Sequence, residues 1–382
     1  MRTVYALFLT FTAAAAVVAQ QGQKFELNPA TPEGQLLQKA SQAATDDEKI
    51  AAYDNFIAAH PQHAGTVYAW NQVQPLHLKA GQFDKVITGA TAILAAEPDN
   101  SPAAYNGLQA AERKLDVAAI ILWANRTVAA AKLAIASKKP ADEDEAALWA
   151  ANVDFAQQVI ARCEYSFYAS ALKVTDPAGI AALYGGLVEM NSQSQYVAMA
   201  APRYFIALLQ QKDLPKAQSF AETAADRGQA NEDMLLFVAD TNLNAGSFDK
   251  AMTYSAKITS ILPAQAAPSG IAAADWEAKK KTTLARAHWI SGVAAGSKSD
   301  WLATEQSMRA ALLIIEGNTA LNDLLPGAYF YLGLANYSVS KGAKPDPARR
   351  AEAKKYFTLC AAIASPFQAQ AAKNLTGITA GK

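Results

Sequence analysis

A short turn motif recurs along the chain at a spacing that few folds share. Residues 81–85 (Gly-Gln-Phe-Asp-Lys) and 246–250 (Gly-Ser-Phe-Asp-Lys) have the same pattern, and residues 212–216 (Lys-Asp-Leu-Pro-Lys) are a looser copy. Ala217 and Ala251, which follow the last two copies, are 34 residues apart. This period is typical of stacked helix-turn-helix units, because one helix pair cannot bury its own apolar face and needs its neighbours.

The composition favours helices between these turns. From about Pro32 the chain is rich in Ala, Leu, Gln, Glu and Lys, and strand-like alternation is nearly absent. Proline and glycine recur at short intervals, where helices of ordinary length should end. Two segments are longer, 116–137 and 142–174, and the second is either one bent helix or two. The sequence therefore predicts an all-α solenoid of stacked helix-turn-helix repeats.

The chain resembles the tetratricopeptide-repeat family at particular positions. Counting back from Val86, Trp70 falls on the bulky aromatic position of the first helix, Val73 on its leucine and Gln74 on its glycine. Two later units match at equivalent positions: Leu235, Val238, Ala239 and Ala251, and then Tyr329, Leu332, Gly333, Ala353 and Phe357. The resemblance covers about two-thirds of the mature chain. It implies a right-handed superhelix with a concave face.

The first residues have the pattern of an export signal. Arg2 precedes an apolar stretch, Val4–Ala16, and small residues lead to Ala19 before the polar Gln20. We expect a signal peptide over residues 1–19, cut after Ala19, and a mature protein that is periplasmic or secreted. The style of the signal and the composition favour a bacterial origin.

The rest of the chain divides by the regularity of its repeats. We expect a flexible N-terminal segment over 20–31 and then a tetratricopeptide-like solenoid over 32–382. Its middle, about 116–195, departs from the pattern in helix length and phase. A last helix, about 367–378, follows Pro366 and is expected to cap the apolar end of the stack.

The charge and the cysteines exclude several classes of protein. The 34 basic and 34 acidic side chains leave no basic excess, so no nucleic-acid partner is expected. No transmembrane segment is expected in the mature chain. Cys163 and Cys360 are 197 residues apart, about six repeats, so we predict two buried thiols rather than a disulfide.

No motif for catalysis, a cofactor or a metal is found. His60 and His63 are three residues apart but lack further metal ligands nearby, and His77 falls on a packing position, where we expect a half-buried structural histidine. Residues 292–299 are similar to a phosphate-binding loop, but the spacing between the glycines and the lysine is wrong. An interhelical turn is expected there.

The family resemblance also implies where a partner would bind. Protein or peptide partners of such repeats lie in the concave groove, which first-helix positions line; in this chain they are Tyr68, Asn71, Asn106, Arg203, Asp240, Phe330 and Tyr337. Side-chain amides can bond an extended backbone, and aromatic rings offer apolar area. We expect a protein-interaction module or assembly scaffold of the bacterial cell envelope, and no enzyme.

Two alternatives stay open on the sequence alone. One is an accessory component of an outer-membrane assembly or polymer-export complex, with the chain attached peripherally. The other is an envelope enzyme or its regulatory subunit, with a site inside a helical toroid, which the long helices between 116 and 174 favour. Convergent ionisable groups with shifted pKa values in a closed cavity would support the enzyme.

Overall fold

The computed structural model describes residues 25–341 and 346–379 of the chain. Over these residues it contains seventeen α-helices, two short 3-10 helices and no β-strand, so the predicted all-α class is confirmed. The predicted signal peptide, residues 1–19, lies outside the described part. The chain divides into two units, a first that ends at Ala207 and a second that begins at Leu208.

The first unit is a stack of helices joined by short turns. They are α1 (Pro32–Ser41), α2 (Asp46–Ala59), α3 (Gly65–Lys79), α4 (Phe83–Ala96), α5 (Ser101–Lys114), α6 (Val117–Ala136), α7 (Glu143–Lys173), α8 (Pro177–Met190) and α9 (Gln195–Gln210), whose last residues belong to the second unit. From α1 to α8 each helix packs against the next. In addition α3, α5 and α7 lie side by side, as do α6 and α8, which is the two-layer arrangement of an α-solenoid.

The second unit repeats this arrangement. Its helices are α10 (Leu214–Asp226), α11 (Glu232–Asn244), α12 (Phe248–Ile261), α13 (Ala273–Ser297), α14 (Trp301–Ile315), α15 (Leu325–Ser340), α16 (Pro347–Ala361) and α17 (Gln368–Thr379), with 3-10 turns at Leu262–Ala264 and Thr319–Leu324. Each helix packs against the next, and α11, α13, α15 and α17 also pack in sequence. Ala371 and Ile378 of the last helix are buried.

Two helices are longer than the repeat requires. The segment predicted as one bent helix or two is the single 31-residue helix α7, which begins at the N-cap Asp142. The 25-residue helix α13 was not expected, because no sequence signal distinguished it from its neighbours. Residues 292–297, predicted to be part of a turn, are its last helical turns, and the chain reverses only at Ser299.

The recurring turn is a helix C-cap in the left-handed conformation. Gly81 has φ 73° and Gly246 has φ 74°, values that glycine adopts without steric cost. Lys212 (φ 60°) takes the same conformation, and so do Leu115 (φ 53°) and Ser299 (φ 62°), which the motif search missed. The next residue in each turn donates its N–H to the carbonyl five positions earlier, as in a Schellman motif. Gly228 (φ 69°) forms a sixth such turn, in which the Gln229 N–H donates to the Ala224 carbonyl, so one turn geometry joins six helix pairs with different sequences.

Each unit has its own apolar core. In the first, Trp123, Phe167 and Leu183 are buried among α5 to α8. In the second, Leu332 and Phe357 are buried between α15 and α16. Gly333, one of the positions that match the repeat pattern, allows α15 and α16 to approach closely, because a Cβ there would lie 2.7 Å from the Phe357 ring.

Helix α6 is long and apolar enough to cross a membrane by length and composition alone. Its Ile120, Trp123 and Ala124 are nevertheless buried in the core of the first unit. Core helices satisfy the same two criteria, and α6 packs against α5, α7 and α8 in the stack.

Candidate functional site

The amide residues predicted to line a groove are bonded within the first unit. Asn71 on α3 donates from Nδ2 to Glu97 Oε2 at 3.1 Å, and its Oδ1 accepts from Asn100 Nδ2 at 3.1 Å. Asn100 also donates to the same Glu97 oxygen at 2.7 Å. The Asn71 amide therefore connects α3 to the turn between α4 and α5.

A second amide lies deeper in the same region. Gln74 is 1% exposed, and its Nε2 donates to the carbonyls of Val86 and Ala103, both at 3.1 Å. Its Oε1 accepts from Asn106 Nδ2 at 3.0 Å. We call Asn71, Gln74, Asn100 and Asn106 the amide seam. Buried polar groups need hydrogen-bond partners. The partners of the amide seam come from α3, α4 and α5, so its hydrogen bonds join these helices.

The other two candidates in the first unit are also engaged. Tyr68 is half-buried, and its ring centroid lies 5.7 Å from that of Phe25, which belongs to the predicted N-terminal segment. Arg203 donates from Nε to the Ala171 carbonyl at 2.6 Å and from Nη2 to the Val174 carbonyl at 2.7 Å. The guanidinium thus satisfies carbonyls at the end of α7 that have no helical partner.

The remaining three candidates lie in the second unit. Asp240 is exposed and accepts from Asn244 Nδ2 at 3.2 Å. The Phe330 ring packs against Phe367 at 5.1 Å between centroids, and the Lys341 ammonium lies 4.1 Å from the centre of the Tyr337 ring. The seven candidates are therefore divided between the units, and the groove that would join them stays a prediction.

Three tyrosines form an aromatic surface that sequence reasoning missed. Tyr165 and Tyr168 on α7 and Tyr196 on α9 have ring centroids 5.5 to 6.3 Å apart. Tyr168 and Tyr196 are stacked, with 20° between their planes, and Tyr165 is 41% exposed. We call these three residues the tyrosine patch.

An arginine supports the tyrosine patch from one side. The guanidinium carbon of Arg162 lies 5.1 Å from the centre of the Tyr165 ring. Its Nη2 donates to Glu112 Oε2 at 3.1 Å, and its Nη1 donates to Ser166 Oγ at 2.6 Å. Burial alone would lower the pKa of Arg162, but the nearby Glu112 and Tyr105 raise it above its ordinary value. The arginine is thus a fixed cation under the ring.

Part of the tyrosine patch is indicated by the spacing of residues in the sequence. Arg162, Tyr165 and Tyr168 follow one another at intervals of three in a segment predicted to be helical, and this spacing places them on one face. Tyr196 comes from another helix, and no sequence spacing indicates that it meets Tyr168. Four further apolar side chains on the same helices are exposed: Leu148 (41%), Leu172 (52%), Met199 (51%) and Ile206 (48%).

Two of the histidines, His77 and His63, have hydrogen-bond partners inside the protein. His77 is fully buried rather than half-buried as predicted, because its ring is held between Asp54 Oδ1 at 2.9 Å and Gln82 Oε1 at 2.6 Å. His63 Nδ1 accepts the Gly65 N–H at 3.0 Å. Across residues 25–341 and 346–379, no three His, Cys, Asp or Glu side chains are grouped to hold a metal ion.

Both cysteines are free and buried, as predicted. Burial raises the pKa of Cys163 to about 12 and that of Cys360 to about 11. The thiols therefore stay protonated at neutral pH, and a protonated thiol is a poor nucleophile. Both residues act as small apolar groups in the cores of their units.

The helix pairs and the tyrosine patch together define an α-helical repeat protein with an aromatic surface on its first unit. No protein-family model matches the sequence, and no curated protein sequence matches it.

Similar solved structures are tetratricopeptide-repeat proteins of low identity. The TPR domain of P58(IPK) is 11% identical over 92% of this chain and 98% of that one, with a TM-score of 0.26. A tetratricopeptide repeat protein from Parabacteroides merdae is 10% identical over 78% of this chain and 98% of that one, with a TM-score of 0.25. Yeast Tom70 is 11% identical over 93% and 89%, with a TM-score of 0.22. TM-scores this low do not establish a shared fold. The assignment of the fold therefore rests on the helix pairs described above.

Proposed function

We propose that this chain is a protein-interaction module whose first unit binds a segment of a partner protein at the tyrosine patch. The observation that carries the proposal is the group of three neighbouring rings beside the fixed Arg162, with Tyr165 41% exposed. Tyrosine and arginine are enriched among the residues that dominate binding energy in interfaces. Tyrosine suits this role because a large ring is ordered at a small entropic cost.

The chemistry of the patch suggests the kind of segment that binds. The charge of Arg162 is already balanced by Glu112, so the surface offers rings and phenol hydroxyls rather than an uncompensated charge. A segment with apolar side chains and a free backbone would fill the surface better than a strongly acidic one. The partner's apolar side chains would then lie against the rings of Tyr165 and Tyr168.

The proposal includes the location of the protein in the cell. The pattern of residues 1–19 supports export, so we place the interaction in the periplasm or outside a bacterial cell, where the chain would act as a scaffold. A role in an outer-membrane assembly or polymer-export complex is a narrower form of the same proposal. The stacked helix pairs and the patch support binding rather than catalysis.

The test begins by identifying the segment that contacts the patch. A photo-cross-linking residue in place of Leu172, beside the patch on α7, is expected to capture a partner from an envelope extract. Mass spectrometry then locates the cross-linked segment, and a synthetic peptide of that segment is titrated by fluorescence anisotropy.

Variants test whether the peptide binds at the tyrosine patch. Tyr165→Ala is expected to weaken the peptide about tenfold or more, since it removes an exposed anchor ring. Leu313→Ala is the control, because Leu313 is 86% exposed on the second unit and should bind as wild type does. Equal affinities of Tyr165→Ala and wild type would refute the proposed surface.

A further inference from the structure

Helix α6 has a buried face and an exposed face, and both are apolar. Ile120, Trp123 and Ala124 lie in the core of the first unit. On the other side of the helix, Leu122 is 48% exposed and Leu133 is 51% exposed. A surface helix normally presents polar side chains to water there. The packing of the first unit therefore explains one apolar face of α6 and leaves the other without a role.

The exposed leucines lie in one line along α6. They are 11 residues apart, about three helical turns, and the exposed Ala129 lies between them on the same side. The line is roughly 16 Å long at the rise of an α-helix. We call Leu122, Ala129 and Leu133 the leucine stripe. Its regular spacing distinguishes it from single apolar side chains scattered over a surface, which need no explanation.

Basic side chains border the leucine stripe. By helical spacing Arg126 lies on one side of it and Lys132 on the other, and both are exposed. Lys138 and Lys139 are exposed just beyond the end of the helix. Helix α6 itself contains no Asp or Glu. The stripe therefore has only cations beside it on its own helix.

The charges of these four basic residues are not balanced inside the first unit. A lysine of the preceding helix, Lys114, forms an ion pair with Asp84. Within the part of the chain that the structure describes, no hydrogen bond or ion pair includes the side chain of any of the four. Arg126 contacts a ring, with its guanidinium carbon 4.9 Å from the centre of Trp123. The four charges are therefore available to a partner outside the chain.

The nearest acidic groups in the sequence serve the ends of helices. Asp116 accepts an N–H of the first turn of α6 at 3.0 Å, and Asp142 accepts two N–H groups of the first turn of α7, both at 3.0 Å. The acidic residues 143–145 lie in that same turn of α7, where the helix macrodipole favours negative charge. None of these groups lies within α6, so the charge along the stripe itself is positive.

The shape of the surface favours a flat partner. Helix α8 lies beside α6 and exposes Ala182 and Gly185, so its side chains there are shorter than the leucines of the stripe. A flat partner would therefore reach the stripe and its cations before it reached α8. A second copy of the stripe would place cation against cation, which is unfavourable. A bilayer with anionic lipids offers phosphates to the cations and an apolar boundary to the leucines.

We propose that the outer face of α6 binds peripherally to a bilayer that contains anionic phospholipids. Leu122 and Leu133 enter the boundary between headgroups and acyl chains, and the four cations contact the phosphates. The helix is already formed and packed in the stack, so binding requires no folding of a free segment. The tyrosine patch lies on α7 and α9, so the two proposals rest on different residues, and either can fail without the other.

The first test measures binding to vesicles. The mature chain, residues 20–382, is used, because the apolar segment 4–16 would enter lipid by itself. It is mixed with vesicles of phosphatidylcholine, either alone or with about one-third phosphatidylglycerol, and the bound fraction is measured by flotation. We expect at least about tenfold tighter binding to the anionic vesicles, most of which is lost at about 0.5 M NaCl. Equal binding to the two kinds of vesicle, or binding to neither, would overturn the proposal.

Two double variants locate the binding on α6. Leu122→Gln with Leu133→Gln is expected to weaken binding to the anionic vesicles about tenfold or more, because the apolar contact is lost. Arg126→Gln with Lys132→Gln should weaken it by a similar factor and reduce its dependence on salt. All four side chains are exposed, so both variants should keep a melting temperature close to that of wild type.

Helix α14 provides the matched control. Leu302 (66% exposed) and Leu313 (86% exposed) are also 11 residues apart on one helix. The cation between them, Arg309, is paired with Glu305 at 2.8 Å. Leu302→Gln with Leu313→Gln should therefore bind the anionic vesicles as wild type does. A loss as large as that of the leucine variant of α6 would mean that any exposed leucines adsorb to lipid, and it would refute the site.

The remaining outcomes also decide the matter. Wild-type affinity of either α6 variant would place the lipid contact elsewhere and refute the proposal. Binding of the chain to polyglutamate but not to anionic vesicles would reassign the leucine stripe to an acidic protein. If the leucine variant loses its fold, the variant of Arg126 and Lys132 is decisive, since it leaves the stripe intact.

Discussion

The amide seam and the tyrosine patch lie in the same unit but hold their helices together differently. In the seam, between α3 and α5, each amide has hydrogen-bond partners inside the protein, and Gln74 is almost completely buried. In the patch, between α7 and α9, rings stack over one another and Tyr165 stays 41% exposed. The amide seam thus holds its helices together, and the tyrosine patch leaves ring surface exposed for a partner.

The difference has a physical origin in what burial demands of each group. An amide between helices must find donors and acceptors, so it loses its capacity to bind a ligand. A tyrosine ring can stack on its neighbour through one face and remain accessible through the other, because stacking uses only part of its surface. Amides at family groove positions are therefore weaker indicators of a binding surface than neighbouring rings.

The strongest test of this comparison is Gln74→Ala. The change removes the hydrogen bonds that Gln74 makes to the Val86 and Ala103 carbonyls and to the Asn106 amide, and it opens a cavity. We expect it to lower the free energy of unfolding by about 2–4 kcal/mol. Tyr165→Ala, on the patch, should cost less than about 1 kcal/mol. Urea unfolding followed by circular dichroism measures both, and similar costs would break the comparison.

A smaller effect is expected at an amide–carboxylate contact of the second unit. Asn242 Nδ2 donates to Glu222 Oε1 at 3.0 Å. This hydrogen bond lowers the pKa of Glu222 below its ordinary value of 4.5, against the opposing effect of burial. A lowered folded-state pKa gives stability that is complete above pH 4.5 and is lost as the pH falls through the folded-state value.

Glu222→Gln tests that contribution. We expect the variant to be about 1 kcal/mol less stable than wild type at pH 7, with the difference shrinking below pH 4.5. Unfolding midpoints between pH 3 and pH 7 measure it. A difference that stays constant across this range would mean that Glu222 stabilises the second unit through packing rather than through its charged hydrogen bond with Asn242.

The smallest change in stability is expected at Leu115, in the turn between α5 and α6. Here the substitution is expected to stabilise the protein rather than destabilise it. Leu115 adopts a left-handed conformation that glycine takes more easily. Leu115→Gly should therefore raise the free energy of unfolding by about 0.5–1 kcal/mol, and the reverse change Gly81→Leu should lower it by a similar amount. Thermal unfolding of both variants measures the pair, and destabilisation by Leu115→Gly would refute this account of the turn.

The sequence predicted the fold well because its main signals are local. Glycines at 81 and 246 mark turns that need the left-handed conformation, and the period of 34 residues reflects one helix pair. Predicted packing positions such as Val73, Val238 and Leu332 are all fully buried. The turns at Leu115 and Ser299 escaped notice, because there the tertiary packing imposes a conformation that the residue itself does not prefer.

The proposed binding surface could not be predicted in the same way. The resemblance placed Asn71 and Asn106 in a groove, but hydrogen-bond partners that come from other helices engage both amides. Tyr168 and Tyr196 are 28 residues apart, and the packing of α9 on α7 brings them together. Tyr184 on α8 and Tyr204 on α9 likewise stack on each other although they are 20 residues apart in the sequence.

By itself the sequence determined that this chain is helical, where most helices begin and end, and which faces are buried. These properties depend on backbone preferences and on the spacing of apolar side chains along one helix. The tertiary structure decided which polar groups have hydrogen-bond partners inside the stack and which aromatic rings remain accessible to solvent. That choice depends on contacts between helices distant in sequence, where side-chain partners are set by packing rather than by spacing.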